Sequence, residues 1–208
     1  SMKLRPYQES AVAAVRAAWE AGKQCPLLVA PTGAGKTVMA KTLLSGARSP
    51  CAIVHSDVLF EQTAEEIPCA RGYTIPRLGA EGPAGDRRRA GLARHDACFI
   101  DECHHIVSDS WRQALPHLSH MRRFGATATP KRADGTPLGD VFDAIVVAAK
   151  YSELVSAGFL VRCDVWAPDV GRKRQKKEKL RPDGVAAYLE HARRPDGSWR
   201  PGIHFEVT

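Results

Sequence analysis

The sequence lacks the features that mark secreted and membrane-spanning proteins. Its six cysteines include no Cys-x-x-Cys pair, no N-terminal stretch resembles a signal peptide, and no apolar run approaches the length needed to cross a bilayer. The missing cysteine pairs argue against a disulfide framework. Together these absences indicate a cytoplasmic protein whose cysteines are free thiols.

Acidic residues are scarce relative to basic ones, although the imbalance is confined to one stretch. The chain has a net charge of +7 and an isoelectric point near 9.3, which favours a polyanionic partner, with nucleic acid ahead of a membrane. Residues 171–181 contain seven lysines and arginines and one glutamate, a net charge of +6, so the rest of the chain is almost neutral. A flexible, solvated linker explains this run slightly better than a specific nucleic-acid groove.

Short apolar runs alternate with helical patterns along the chain, which is typical of a parallel sheet covered by helices. A length of 208 residues and an apolar content of 44% allow one full α/β domain with a tail. Helices are expected over residues 6–21, 57–67, 86–94 and 152–157, and strands over 27–29, 52–55, 97–100, 123–129, 145–147 and 160–166. Residues 68–85 are expected to form a loop. The three arginines at 87–89 could contact phosphates, but three exposed arginines on a helix more often form a solvated face.

The glycine-rich segment at residues 30–37, APTGAGKT, carries the strongest chemical signal. It follows an apolar run and precedes a helical pattern, the order that a phosphate-binding loop requires. Gly33 and Gly35 allow the backbone to curl so that successive N–H groups point at one anion. Lys36 would reach the terminal phosphates of a nucleotide, and Thr37 would present its hydroxyl to Mg²⁺. The predicted loop residues are Thr32, Gly33, Ala34, Gly35, Lys36 and Thr37.

Two acids, Asp101 and Glu102, follow the predicted strand at 97–100. Ligands bind at the carboxyl ends of the strands in an open parallel sheet, and charged groups there need a metal or a basic partner. Asp101 is expected to hold Mg²⁺, usually through water, and Glu102 to orient and deprotonate an attacking water. His104 and His105 come next, but no other cysteine or histidine lies at zinc-ligand spacing around them.

Gln8, Thr127 and Thr129 are weaker candidates. The amide of a glutamine offers both the donor and the acceptor that an adenine edge requires. Its position just upstream of the phosphate loop favours adenine recognition over an ordinary surface glutamine. Thr127 and Thr129 end a predicted strand before Pro130, and taken alone such residues are more often turn hydroxyls.

Several segments, in this order, resemble the conserved motifs of superfamily 2 helicases. The segments that resemble motifs Q, I, II and III are residues 4–8 (LRPYQ), 30–37 (APTGAGKT), 101–104 (DECH) and 126–130 (ATATP). Residues 55–62 are similar to motif Ia, which lies along the nucleic-acid backbone. Residues 128–135 (ATPKRADG) resemble the XPB-like and restriction-enzyme-like branch, which mostly works on DNA.

The resemblance covers about residues 3–166 and implies the first RecA-like lobe, a parallel sheet sandwiched by helices that binds ATP and Mg²⁺. It implies that Arg5 and Gln8 contribute to the nucleotide site. It also implies that Thr127, Thr129 and His104 couple the nucleotide state to the grip on nucleic acid, with DNA favoured over RNA. The expected organisation is an ATP-binding domain at 3–168, a basic linker at 169–201 and the start of a truncated second RecA-like domain at 202–208.

Three functions fit these features. The first is the ATP-binding lobe of a helicase that couples ATP hydrolysis to movement on DNA or to its unwinding. The second is the motor subunit of a restriction or remodelling system, which moves duplex DNA without separating its strands. The third is a standalone nucleotide-gated module that binds nucleic acid without motor activity.

Two departures from the family pattern bear on activity. Only 38 residues separate Gln62 from Asp101, and the strand and threonine-containing helix start of motif Ib are not evident between them. The second RecA-like lobe, which normally sends arginines to the γ-phosphate, is expected in a longer parent protein. Since an arginine finger is worth roughly 10³ to 10⁵ in rate, this chain alone is expected to bind ATP weakly and to hydrolyse it poorly.

Overall fold

The computed structural model describes residues 3–103, 109–130, 138 and 141–162. The chain divides into two units, Ser1–Arg162 and Cys163–Thr208. His104, the predicted basic linker and the expected start of a second lobe lie outside the described residues. Within the described ranges, no helix is both long and apolar enough to cross a bilayer.

A single six-stranded sheet forms the centre of the first unit. Its strands are β1 (Pro26–Val29), β2 (Pro50–Val54), β3 (Arg71–Thr74), β4 (Ala97–Ile100), β5 (Arg122–Thr127) and β6 (Ala144–Val147). The order across the sheet is β3-β2-β4-β5-β1-β6, and every neighbouring pair is parallel. Parallel neighbours require crossover connections, which the intervening helices provide. The prediction of a helix-covered parallel sheet is confirmed.

The helices of the described residues mostly connect successive strands, whereas the first precedes β1 and the last follows β6. They are α1 (Pro6–Glu20), α2 (Lys36–Leu44), α3 (Asp57–Glu66), α4 (Ile75–Leu78), α5 (Pro83–Gly91), α6 (Asp109–Ala114) and α7 (Tyr151–Ser156), with short 3₁₀ turns at Leu92–Arg94 and Leu115–Leu118. Pro6 occupies the first turn of α1, where its missing N–H costs nothing. Gly22, at φ +87°, follows the end of the same helix, as predicted.

Side chains alternate between two cores on opposite faces of the sheet. On β4, Phe99 packs into one core with α1 and α2, whereas Cys98 and Ile100 pack into the other core with α4 and α6. Successive residues of a strand point to opposite faces, so a strand buried on both sides reads as a continuous apolar run. This alternation is why the short apolar runs predicted strands correctly.

The loop predicted over residues 68–85 is partly wrong, because this stretch contains β3 and α4. The strand pairs with β2, placing Thr74 opposite Val54, and Thr74 then leads directly into α4. Ile75 and Leu78 anchor α4 in the core beside α6. Elements of four residues are too short to produce a periodic pattern, so tertiary contacts decide them. The strand β3, with Thr74 at the start of α4, is a strand followed by a threonine at a helix start, the arrangement that was not evident in the sequence.

The helix predicted over residues 86–94 is displaced, and one of its arginines is buried. The helix α5 begins at Pro83 and ends at Gly91. Arg89 donates hydrogen bonds to the carbonyl oxygens of Leu78 and Ala80 and pairs with Asp86. The prediction that all three arginines are solvated is therefore wrong for Arg89, which ties α5 to the end of α4.

The strand predicted over residues 160–166 is absent where the structure describes it. Leu160–Arg162 lie in no strand, and residues 163–166 are outside the described ranges. The N–H groups of Phe159 and Leu160 both donate to the carbonyl oxygen of Leu154, at 2.8 and 3.1 Å. These backbone donors close the end of α7 and so are not available to a sheet.

Asp96, just before β4, joins two loops at the amino end of the sheet. Its carboxylate accepts hydrogen bonds from the backbone N–H groups of Arg48 and Ser49, at 2.8 and 2.9 Å. Burial alone would raise the pKa of Asp96, but these hydrogen bonds outweigh it and hold the pKa below its ordinary value of 3.8. The ionised form therefore stabilises the fold.

We expect Asp96→Asn to lower the free energy of unfolding by about 1–2 kcal/mol at pH 7, as for other hydrogen bonds to partly exposed charged groups. A carboxyl group with a lowered folded-state pKa stabilises the protein above its unfolded value near 3.8 and loses this contribution as the pH falls through the folded value. The wild-type and variant curves should therefore converge below that pH in urea unfolding. A difference that stays constant down to strongly acidic pH would contradict this role.

Candidate nucleotide-binding site

The order of the strands brings three functional segments to one edge of the sheet. In that order β4, β5 and β1 are consecutive neighbours, and all of them end at the same edge. Ala30, which follows β1, donates its N–H to the carbonyl oxygen of Thr127 at 3.0 Å. The glycine-rich loop, the hydroxyls that end β5 and the acids that follow β4 are therefore side by side, although they are far apart in sequence.

The glycine-rich loop adopts a curled backbone that depends on two glycines. Gly33 and Gly35 have φ values of +79° and +80°, in the left-handed region that other residues rarely occupy. The helix α2 begins at Lys36, immediately after Gly35. The N-terminus of α2 therefore faces the cleft with its free N–H groups, as a phosphate-binding loop requires.

Two side chains from the start of α1 hold this loop from behind. The Tyr7 hydroxyl and the Gln8 amide Nε2 each donate to the carbonyl oxygen of Ala34 at 2.9 Å. The Gln8 Oε1 in turn accepts the backbone N–H of Arg5 at 2.9 Å. A Cβ at Gly35 would lie only 2.5 Å from the Gln8 Nε2, so the loop and the glutamine are in direct contact. Gln8 is thus a buried brace of the loop in this structure.

The two acids after β4 face the lysine of the loop. The Lys36 Nζ lies 3.8 Å from the Glu102 Oε1, and the two side chains are only 12% and 26% exposed. Glu102 has φ +46°, in the left-handed region, and its N–H donates to the Asp101 Oδ1 at 2.9 Å. A non-glycine residue in this region stores strain, which is a recurrent feature of functional sites. The sharp turn directs both carboxylates to the cleft.

Asp101 is a carboxylate held in a partly desolvated position. Burial raises its pKa, the N–H of Glu102 opposes this, and the Glu102 carboxylate raises it further, while the Lys36 ammonium lowers it. A carboxyl group whose charge is disfavoured by burial and by a neighbouring acid is a natural ligand for a cation.

These groups line one large cleft of about 1350 Å³. The predicted residues that line it are Thr32, Gly33, Gly35, Lys36, Thr37, Asp101 and Glu102. Arg5, Gln8 and Ala34 do not line it: Ala34 is fully buried, Gln8 holds the loop from behind, and the Arg5 guanidinium lies 4.8 Å from the centre of the Phe159 ring. The structure therefore gathers seven of the predicted residues around one cleft, while Gln8 and Ala34 lie behind the loop and the Arg5 side chain contacts Phe159.

The donor set of the cleft fits Mg²⁺. Thr37 offers a hydroxyl and Asp101 a carboxylate, both of them oxygen ligands of the kind Mg²⁺ prefers. The raised pKa of Asp101 is the mark of a buried carboxylate that a nearby cation would stabilise. Among the described residues, no group of three or more histidine, cysteine or acidic side chains offers a separate metal site.

Thr127 and Thr129 form a compact turn beside the acids. Thr127 is fully buried, and its Oγ1 donates to the Thr129 carbonyl oxygen at 2.9 Å while accepting the Thr129 N–H at 3.1 Å. This turn lies between the loop after β1 and the acids after β4. Its proposed coupling role stays a prediction, and His104 lies outside the described residues.

Three residues outside the predicted set contact the loop or line the cleft. Tyr7 belongs to the same pentapeptide as Gln8, so the sequence signal for the glutamine also covers the tyrosine. Gln62 and Glu66 reach the cleft from α3, and only the tertiary structure places them there.

A parallel sheet of this order, with a glycine loop after one strand and a pair of acids after another, defines a RecA-like ATP-binding lobe of a superfamily 2 helicase. The sequence matches the family described as "Type III restriction enzyme, res subunit" over residues 1–75 and 74–132. The chain belongs to this family.

Individual relatives and a solved structure agree with this assignment. Irc3 of Schizosaccharomyces pombe, named as a mitochondrial ATP-dependent helicase, is 26% identical over 92% of this chain and 39% of its own length. XPB2 of Sulfurisphaera tokodaii, named as a DNA 3'-5' translocase, is 26% identical over 91% of this chain and 45% of its own length. The crystal structure of the UvsW helicase from bacteriophage T4 superposes with a TM-score of 0.56 at 16% identity, covering 70% of this chain and 60% of that one, which supports the fold alone. The chain thus spans less than half the length of both curated relatives.

Proposed function

We propose that this chain is the ATP-binding lobe of a nucleic-acid motor, which couples ATP hydrolysis to movement on DNA or to its unwinding. The observation that carries the proposal is the approach of Lys36 and Glu102 to 3.8 Å across one cleft, with a curled glycine loop on one side and Asp101 on the other.

The residues of the cleft divide the chemistry between them. The N–H groups of the glycine loop and the Lys36 ammonium bind the β- and γ-phosphates of ATP. When the ammonium engages a phosphate, its pairing with Glu102 is exchanged for that stronger contact. Glu102 then orients a water molecule for attack on the γ-phosphorus and accepts its proton, while the bond to the bridging oxygen breaks and ADP leaves. The strained backbone of Glu102 keeps its carboxylate over the cleft.

Thr37 and Asp101 are the residues that would hold Mg²⁺. When bound, this ion supplies positive charge to the phosphate oxygens during the transfer. Asp101 itself remains a ligand and takes no proton, so Glu102 alone acts as the base. In this proposal Thr127, which ends β5, and Thr129, two residues later, transmit the nucleotide state to the surface that binds nucleic acid.

In this proposal the motor acts on DNA rather than RNA. A second candidate function is translocation along duplex DNA without strand separation. The family assignment and the name of XPB2 favour that alternative. A strand-displacement assay and a triplex-displacement assay on a longer protein that includes this chain would separate the two. Release of the third strand without separation of the duplex indicates a translocase.

Binding of ATP with Mg²⁺ by the 208-residue chain tests the proposal directly. Calorimetry should detect ATP binding that is weak, because one lobe supplies only part of the site. No binding of ATP at millimolar concentration by a folded chain would contradict the proposal. In a longer protein with a second lobe, DNA should stimulate hydrolysis.

Gln8 provides a further test, because its amide contacts the loop and is also proposed to read adenine. The Nε2 is engaged with Ala34, while the Oε1 accepts one hydrogen bond and has a second lone pair for the adenine amino group. We expect Gln8→Ala to weaken ATP binding roughly tenfold more than GTP binding, since each charged or well-placed hydrogen bond is worth about 1 kcal/mol or more. Equal losses for ATP and GTP, measured by calorimetry, would leave Gln8 as a brace of the loop only.

A further inference from the structure

Four arginines surround a small cavity that the nucleotide site does not use. The cavity has a volume of about 230 Å³ and is lined by Arg71, Arg87, Arg88 and Arg94 together with Tyr73. Ala84 and Gly91 complete the lining, so no acidic side chain contributes to it. Among the described residues, none of these four guanidinium groups pairs with a carboxylate.

Three elements build this arginine cavity. Arg71 and Tyr73 are two residues apart on β3 and therefore share one face of the edge strand. Arg87 and Arg88 come from α5, and Arg94 from the 3₁₀ turn that follows it. Arg89, the neighbour of these two helix arginines, points the other way and is bound to α4, so the arginine run is split between a structural role and the cavity.

The half-buried Tyr73 and the buried His95 lie next to these arginines. The Tyr73 hydroxyl is 2.8 Å from the His95 Nε2, beneath the cavity. Burial is the main cause that lowers the pKa of His95, a hydrogen bond to Ser49 and the charge of Asp96 oppose it, and the charges of Arg71 and Arg94 lower it further. The four arginines are exposed, so solvent screens their mutual repulsion, and an anion shared between them would remove what is left of it.

The arginine cavity is distinct from the nucleotide cleft. Arg71 begins β3 and Arg94 precedes β4, so the cavity lies at the amino edge of the sheet, whereas Lys36 and Asp101 follow the carboxyl ends of their strands. From the sheet order, β3 lies four strand spacings, or about 19 Å, from β1. Neither the loop nor the acid pair touches it.

We infer that this cavity binds a phosphate group, with the nucleic-acid backbone as its source. Guanidinium groups bind phosphate through paired hydrogen bonds, and four of them exceed what a single anion needs. The cavity is smaller than the roughly 300–1,000 Å³ of sites for drug-sized ligands, so it holds a phosphate and leaves the attached sugar and base outside. Free inorganic phosphate shares this chemistry and is the other possible source.

The test compares the 208-residue chain with two variants that spare the nucleotide cleft. Arg87→Ala/Arg88→Ala removes two charges from the cavity. Gly91→Leu keeps all the charges and fills the space, since a Cβ there would contact only the Tyr73 hydroxyl, at 3.7 Å. Arg16→Ala/Lys23→Ala removes the same charge from exposed positions elsewhere and is the matched control.

Two probes distinguish the sources of phosphate. The first is a fluorescein-labelled DNA duplex titrated at several salt concentrations, and the second is inorganic phosphate, scored by thermal shift at constant ionic strength. Both cavity variants should bind the duplex roughly tenfold more weakly, and the salt slope should fall by about 0.9, the contribution of one phosphate. The duplex affinity of the control variant should fall much less.

Each result decides the inference. Loss of phosphate stabilisation in the cavity variants with unchanged DNA binding assigns the site to free phosphate and overturns the nucleic-acid source. Unchanged responses to both probes, or a loss in the double alanine variant that Gly91→Leu does not share, overturn the site itself. Binding of ATP should be the same in all the variants, so failure of this inference is distinguishable from failure of the proposed nucleotide site.

Discussion

Replacing Lys36 by alanine is expected to lower the affinity for ATP roughly 100-fold, because the ammonium makes charged hydrogen bonds to phosphate that are worth about 1.5–3 kcal/mol. The free energy of unfolding should change by about 1 kcal/mol or less, since the ion pair with Glu102 is long at 3.8 Å. Calorimetric titration with ATP and urea unfolding of the same preparations measure the two quantities.

Lys41→Ala is the matched control for this experiment. Lys41 lies in the last turn of α2 and lines the same cleft, but it is more than one helical turn away from the loop. Its substitution removes the same charge as Lys36→Ala. We expect a change in ATP affinity of less than about threefold, because exposed charges separated from the ligand are screened. Equal losses of ATP affinity in the two variants would attribute the effect to net charge alone. Undiminished ATP affinity in Lys36→Ala would refute the assignment of the loop.

Replacing Glu102 by glutamine is expected to preserve ATP binding while lowering the rate of hydrolysis roughly 10²- to 10⁴-fold, the usual contribution of a general base. The amide keeps the size of the side chain but cannot accept the proton of water. Affinity should be equal or slightly higher, because Lys36 no longer pairs with a carboxylate before it meets the phosphate. The measurement is single-turnover hydrolysis in a longer protein that contains a second lobe, beside ATP affinity from calorimetry.

Glu66→Gln supplies the control for Glu102→Gln. Glu66 ends α3 and lines the same cleft, so its substitution removes a carboxylate from the site without touching the turn after β4. The rate of ATP hydrolysis in Glu66→Gln should fall less than about twofold. Hydrolysis that survives in Glu102→Gln would remove this residue as the base, whereas a loss in both variants would assign the effect to the charge of the cleft.

Motifs with a fixed local geometry were predictable. The glycines of the loop predict its backbone conformation, since only glycine readily takes the φ values found at Gly33 and Gly35. The position of Asp101 and Glu102 at the carboxyl edge of the sheet is predictable because they directly follow a buried apolar strand. By contrast, α4 and β3 are four residues each and have no pattern of their own, so a prediction of loop was wrong there.

Roles that depend on side-chain partners were not predictable. The chemistry of Gln8 predicts adenine recognition, which stays a prediction, whereas the bond from its amide to the Ala34 carbonyl depends on how α1 packs against the loop. The run of arginines at 87–89 reads as one solvated face, although Arg89 is buried while Arg87 and Arg88 line a cavity. Neighbouring residues on a helix point in different directions, and only the packing of α5 decides which of them meets the core.

By itself the sequence determined the family, the alternation of strands and helices, and the identity of the groups that would meet a triphosphate, because each of these follows from a local pattern of a few residues. The tertiary structure decided which groups meet. The strand order places β5 between β1 and β4, and so brings Lys36 to Glu102 across a gap of 65 residues. It also gathers Arg71, Arg87, Arg88 and Arg94 at the opposite edge of the sheet. Contacts between residues that are distant in the chain arise from the packing of helices onto a parallel sheet, and no local pattern records them.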